Sequence, residues 1–177
     1  MVLGETEILG QVAAAAETAL AAASTGPTLK LLLQHAVRAG KRARTETAIS
    51  RHALSIGALA VNHAESLVPE LVSAPLAVIG TGLGARLVLA ALKTRNAARV
   101  TIVSKDIARA RSEADSWGAT AAAAAQLVPV LADSRVVFTA THGDGVIGIA
   151  EVTASMAART ADDDLVLIDI AAPPNVR

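Results

Sequence analysis

The sequence predicts an α/β fold, a doubly wound parallel sheet preceded by an all-helical segment. Three observations predict it. The stretch LAVIGTGLGARLVLAALK, Leu76 to Lys93, runs an apolar strand through a glycine turn straight into a helix. Beyond Pro75, short β-branched runs alternate with helical stretches, the order that builds parallel strands joined by right-handed crossovers. Before Pro75, apolar residues recur only at helical spacing.

In chain order, a first helix is expected over Thr6 to Ala23, carrying Ile8, Leu9, Val12 and Leu20 among alanines. Ser24-Thr25-Gly26-Pro27 interrupts it. A second helix follows from Thr28 to Ala39 with Leu29, Leu32, Leu33 and Val37, and Gly40 is placed to cap it. A third, from about Glu46 to Leu67, is expected to turn Ile49, Leu54, Ile56, Leu59 and Val61 toward a core. Pro69 and Pro75 bracket a short linker. These signals divide the chain into a helical segment 1–50, a linker helix within 51–74 and a sheet domain over 75–177.

Within the sheet domain, strands are expected at Leu76–Ile79, Val100–Val103, Val136–Thr139 and Leu165–Ile170, with a short one near Thr120. Helices are expected at Leu83–Thr94, Ile107–Trp117, Gln126–Leu131 and Glu151–Ala158. The run Ala121–Ala125 is ambiguous, because alanine suits a helix better than a strand.

Hydrophobic residues make up 53% of the 177, much of it alanine, and aromatics only 1%. The core therefore rests on many small contacts, with Trp117 and Phe138 as the large rings, and modest stability is expected. Basic and acidic side chains balance, so net charge argues for neither a nucleic-acid nor a membrane partner. The absence of cysteine excludes disulfides, thiolate metal sites and a cysteine nucleophile within these residues. The N-terminal MVLGETEILG carries acidic residues where a signal peptide has basic ones. No apolar run approaches the roughly 20 residues that span a bilayer. A soluble, cytoplasmic chain is expected.

The spacing Gly80-x-Gly82-x-x-Ala85 satisfies a dinucleotide-binding fingerprint between a strand and a helix, which makes the sheet domain Rossmann-like. Gly80 permits the tight turn, Gly82 leaves room for a pyrophosphate, Ala85 lets the helix approach the sheet, and Gly84 adds freedom. Gly80, Thr81, Gly82, Leu83 and Gly84 are thus the expected phosphate cradle. Domains selective for NAD usually end the second strand in an acid that holds the ribose hydroxyls. Here the strand ends in Ser104-Lys105-Asp106, which offers a positive charge to a 2′-phosphate and favours NADP(H). Arg109 and Arg111 stand ready to assist, and Asp106 is placed to cap the next helix.

The fourth strand leads into Thr139-Ala140-Thr141-His142-Gly143-Asp144-Gly145, at the edge where such folds hold the reactive ring. Thr139, Thr141 and His142 are expected to border the nicotinamide. A lone loop histidine is more often a surface residue than an acid or base, and His142 with Asp144 is too few ligands for a metal. No catalytic residue and no metal site is assigned. Asp169, at the end of the last strand, is placed either to contact a ligand or to cap a neighbouring loop, and the structural role is favoured. The basic run from Arg38 through Gly40–Thr47 to Arg51 suits RNA phosphates and a solvated helix end equally. No nucleophile elbow supports a hydrolase.

In this order, LGETEILGQV (Leu3–Val12), GKRARTETAIS (Gly40–Ser50), VIGTGLGARLV (Val78–Val88), Ser104–Ala110, FTAT (Phe138–Thr141) and LIDIAAPPNV (Leu167–Val176) resemble glutamyl-tRNA reductase over nearly the whole chain. The resemblance implies an NADPH-dependent reduction of glutamyl-tRNA to glutamate-1-semialdehyde for tetrapyrrole synthesis. It also implies that residues 1–50 are the end of a catalytic domain and 75–177 an NADPH-binding domain. Family members form homodimers through a C-terminal helical domain, which is expected to lie outside this chain. They attack the ester with a cysteine, and this chain has none. Further departures are Glu7 for the family's usual Gln, Lys105 for Arg, and Pro173-Pro174-Asn175-Val176 for Pro-Arg-Asp-Val. The alternatives are a shikimate-dehydrogenase-like NADP domain, which leaves residues 3–50 unexplained, and a non-catalytic nucleotide-binding module.

Overall fold

The two textures of the sequence become two units, Met1–Ser55 and Ile56–Arg177. The computed structural model describes residues 7–50, 55–142, 146–160 and 164–177.

The first unit contains α1 (Glu7–Ala21) and α2 (Pro27–Glu46), followed by a 3-10 turn over Ala48–Ser50. α1 ends where Ala23 turns to positive φ, and Ser24 Oγ donates to the carbonyl of Ala19 at 3.0 Å. Pro27 opens α2 at a position where its missing N–H costs nothing. The expected cap at Gly40 does not form, and α2 runs on to Glu46. Gly40 serves closeness instead: a Cβ there would lie 2.6 Å from Leu9 Cδ1 of α1. Beyond it, Arg42 and Glu46 form an i,i+4 ion pair at 3.0 Å that favours continued helix.

The third helix also departs from expectation. Thr47 is extended, and its Oγ1 accepts the N–H of Ile49 at 3.3 Å, a local bond that competes with helix. Helix resumes only in α3, Ile56–Leu67. Thr6, Arg51 and Leu54 lie outside the described residues. Ile49 and Leu59 are exposed rather than buried, while Val61 is fully buried. The first unit has little core of its own: α2 buries no residue completely, and Leu31 and Leu32 are 56% and 63% exposed.

The second unit is a five-stranded parallel sheet in the order β3-β2-β1-β4-β5. Its strands are β1 (Pro75–Ile79), β2 (Arg99–Ser104), β3 (Thr120–Ala123), β4 (Val136–Thr139) and β5 (Val166–Asp169). Its further helices are α4 (Leu83–Thr94), α5 (Ile107–Trp117), α6 (Leu127–Asp133) and α7 (Ile149–Met156). The alanine run divides, with Ala121–Ala123 completing β3 and Ala124–Gln126 forming a 3-10 turn. α6 and α7 each sit within two residues of their expected bounds.

Alternation along the strands sorts the core onto two faces. Leu76, Val78, Ile102, Val136 and Phe138 pack beneath α3 and α4, and Ala77, Ile79, Val103 and Val137 pack with Leu131 and Ile147 on the other face. Phe138 is fully buried, whereas Trp117 packs at the margin. α3, read in sequence as part of a linker, lies within this unit and packs on α4. The contact runs through Gly57, where a Cβ would fall 2.3 Å from the carbonyl carbon of Leu87 and 2.5 Å from Val88 N. No described helix is long and apolar enough to cross a membrane.

Glycine to alanine inside a helix normally stabilises by about 1 kcal/mol. At Gly57 the sign is expected to reverse, because the obstructing atoms are backbone. Gly57→Ala should lower the urea midpoint by the equivalent of about 1–3 kcal/mol with an unchanged m-value. An equal or higher midpoint would show that α3 and α4 do not approach so closely.

Candidate functional site

Strand order reverses between β2 and β4 on either side of β1, and in open α/β sheets the crevice at that switch receives ligands. Here it is a cavity of about 460 Å³ lined by Ile79–Gly82, Val103–Lys105, Arg109, Ala124, Leu127, Ala140–His142 and Val146.

Its floor is the glycine turn. Gly80 leaves β1 with φ +122°, and its N–H donates to Val103 O at 2.9 Å. A Cβ at Gly80 would meet Ala140 O at 2.7 Å, so only glycine allows β1 to turn beneath the loop that follows β4. Gly82 is extended at the N-cap of α4 and supplies no side-chain cap. The first N–H groups of α4, at Leu83, Gly84 and Ala85, therefore have no intrahelical acceptor and, among the described residues, no capping side chain. Such a terminus carries partial positive charge and suits a phosphate. Gly84 and Ala85 provide closeness: Ala85 is fully buried, and a Cβ on Gly84 would lie 3.3 Å from that of Ala140.

The wall on the β2 side carries the cations. Ser104 Oγ accepts the N–H of Asp106 at 3.2 Å, which leaves its hydroxyl proton for another acceptor. Asp106 turns its carboxylate into the start of α5, accepting from Ala108 N at 3.0 Å and Arg109 N at 3.2 Å. The acid nearest the strand end is thus occupied as a helix cap, and Lys105 and Arg109 face the cavity. α5 is tied to α4 by the Arg86–Glu113 ion pair, and Trp117 Nε1 donates to Glu113 at 3.2 Å. The Arg86 hydrogen bond, outweighing burial, holds the Glu113 carboxyl below its ordinary range.

The opposite wall follows β4. Thr141 and His142 line the cavity, and His142 Cε1 sits 3.3 Å from where a Cβ on Gly82 would be. Thr139 is fully buried and points elsewhere, its hydroxyl donating to Asp169 Oδ1 at 2.7 Å. Of the residues singled out from sequence, Gly80, Thr81, Gly82, Ser104, Lys105, Thr141 and His142 line one cavity; Leu83, Gly84 and Thr139 do not. Gly143, Asp144 and Gly145 lie outside the described residues. Ala124, Leu127 and Val146 were not foreseen, since an apolar lining residue looks in sequence like any core residue.

Asp169 collects three further bonds, from Ala171 N at 3.0 Å to Oδ1 and from Asn175 N at 2.6 Å and Val176 N at 3.0 Å to Oδ2. Burial raises its pKa, but these donors and Thr139 outweigh burial and hold the carboxyl below its ordinary value. Asp169 therefore folds the terminal segment against the end of the sheet.

The family model described as shikimate / quinate 5-dehydrogenase matches residues 62–177. That of the glutamyl-tRNAGlu reductase N-terminal domain matches residues 1–47. Glutamyl-tRNA reductase 1 of Nocardioides sp. is 36% identical over 178 residues, covering 99% of this chain and 40% of that protein. The glutamyl-tRNA reductase of Syntrophotalea carbinolica is 32% identical over 176 residues, covering 99% and 40%. Among solved structures, glutamyl-tRNA reductase from Methanopyrus kandleri matches with TM-score 0.66 and 35% identity over 98% of this chain and 44% of that one. The transhydrogenase of Sinorhizobium meliloti shares the fold at TM-score 0.55 and 20% identity, over 68% of this chain and 40% of its own. The chain thus spans 40% of the length of the two curated relatives.

Because the pKa of Asp169 is lowered in the folded state, its contribution is complete above the unfolded value, about 3.9. It is lost as pH falls through the lower folded value. Asp169→Asn is expected to cost about 1–3 kcal/mol at pH 7. Its deficit against the parent should shrink in acid unfolding series below about pH 4. A deficit that stays constant down to acid unfolding would contradict the assignment.

Proposed function

This chain belongs to the shikimate / quinate 5-dehydrogenase family through residues 62–177 and is a homologue of the glutamyl-tRNA reductases, and on that premise we propose that it binds NADPH. The reaction it serves is reduction of glutamyl-tRNA to glutamate-1-semialdehyde in tetrapyrrole synthesis. One observation carries the reading: Gly82, the N-cap of α4 that offers no side-chain cap, lines the same cavity as Lys105. The match of residues 1–47 to the reductase N-terminal domain favours this reaction over that of a shikimate dehydrogenase.

The glycine turn fits a dinucleotide because each of its constraints removes a side chain from the path of a phosphate. Main-chain N–H groups from Thr81 through Ala85 hold the pyrophosphate, Gly80 and Gly82 keeping its approach clear. The Ser104 hydroxyl and the Lys105 ammonium hold the 2′-phosphate, with Arg109 adjacent. Lysine keeps the charge but lacks the planar fork by which arginine grips a phosphate twice. Thr141 and His142 border the nicotinamide on the β4 side, and Thr139 supports that wall through Asp169. NADPH supplies the hydride for reduction when bound.

The acceptor side differs. A thioester route needs a cysteine, and none of these 177 residues is one. The chain is accordingly assigned the cofactor-binding half of the reaction, with glutamyl-tRNA as the substrate of the whole. The specific observation favouring a second reading, a non-catalytic nucleotide-binding module, is this same absence.

NADPH and NADH titrated by nicotinamide fluorescence test the reading. NADPH is expected to bind roughly 10- to 100-fold more tightly, as charge-assisted bonds to one phosphate allow. Lys105→Ala should remove most of that preference and leave NADH affinity unchanged. Equal affinities, insensitive to Lys105→Ala, would overturn the 2′-phosphate assignment.

A further inference from the structure

The closing segment Pro173-Pro174-Asn175-Val176 has no part in the cradle, yet it contains a fully buried polar side chain, Asn175. Its Oδ1 accepts two hydrogen bonds from one residue, from Thr141 N at 2.9 Å and from Thr141 Oγ1 at 3.0 Å. Its main chain is fixed as well. The N–H donates to Asp169 Oδ2 at 2.6 Å, and the carbonyl accepts from Ile147 N at 2.9 Å. The next residue, Val176, forms a parallel bridge with Ile147, and Arg177 N returns to Ile147 O at 2.9 Å. Asn175 is thereby held by β5, which carries Asp169, while it holds the residue that follows β4 by two atoms.

That residue is part of the cavity. Thr141 Cγ2 lies 3.3 Å, and Ala140 O 2.7 Å, from where a Cβ on Gly80 would be. Ala140 and Thr141 therefore lie close over the glycine turn, and the Asn175 side chain grips Thr141. A dinucleotide crossing this fold places its adenosine half toward β2 and its other half across the switch point, toward β4. Asn175 acts on the half far from Lys105.

We infer that Asn175, acting through Thr141, is a positioning residue for the nicotinamide half of the cavity. The inference rests on the dinucleotide reading above. It assigns to the terminal segment a task beyond closing the fold: setting the wall against which the nicotinamide ring lies. The buried amide suits this task, because a neutral acceptor takes both Thr141 bonds without setting a second carboxylate beside Asp169.

The test compares NADPH with adenosine 2′,5′-bisphosphate, which carries the 2′-phosphate and no nicotinamide, on the full chain. Asn175→Ala is expected to weaken NADPH about tenfold, as the loss of two buried hydrogen bonds allows, and to leave the bisphosphate within about twofold of the parent. Should Asn175→Ala not fold, Asn175→Leu fills much the same space without an acceptor and is expected to show the same selective loss. Equal weakening of both ligands, or of neither, overturns the inference while the cofactor reading stands. A parent chain that binds neither ligand overturns both.

Discussion

The structure turns on a helix start that no described side chain caps. Gly82 occupies the N-cap of α4 without offering a side-chain acceptor, and it lines the crevice. The arrangement is possible because Gly80 adopts φ +122° and brings β1 out directly under Ala140. Any side chain at Gly80 would strike that carbonyl, and a serine or aspartate at Gly82 would tend to cap the helix itself. The two glycines thus leave the helix start open where an ordinary N-cap side chain would close it.

The rest of the second unit arranges charge and walls around that opening. On the β2 side, Asp106 turns its carboxylate onto the first amides of α5. The Arg86–Glu113 pair then ties α5 to α4. On the β4 side, Asp169 and Asn175 hold the terminal segment and Thr141 together. Opposite faces of one crevice are therefore set by separate hydrogen-bond groups, one built on helix termini and one on the chain end.

Much of the sheet and of the strand–glycine turn–helix geometry was legible in the sequence because each depends on a local rule. Strand and helix limits for α4 and α5 follow from glycine, a capping aspartate and β-branched runs, and the structure has both helices at their expected bounds. What was not legible depended on distant contacts. Gly40 reads as a helix stop until Leu9 is seen beside it, and Gly57 carries no local signal of its approach to Leu87. Thr139 sits at the right strand end by sequence, but Asp169, thirty residues on, draws its hydroxyl away from the cavity. The alanine run divides between strand and turn because pairing with β2 overrides propensity. Asn175 did leave a signal, a polar residue in a proline-flanked terminal motif, but its task required knowing where Thr141 lies.

The central claim is that the open start of α4 is the phosphate cradle of a dinucleotide site. The most direct measurement is the response of individual backbone amides, by ¹H–¹⁵N correlation spectra, to added NADPH. The account predicts that the amides of Leu83, Gly84 and Ala85 shift together with that of Lys105 along one binding curve, while those of α1 and α2 do not move. Saturable NADPH binding that leaves the three α4 amides unmoved would contradict it.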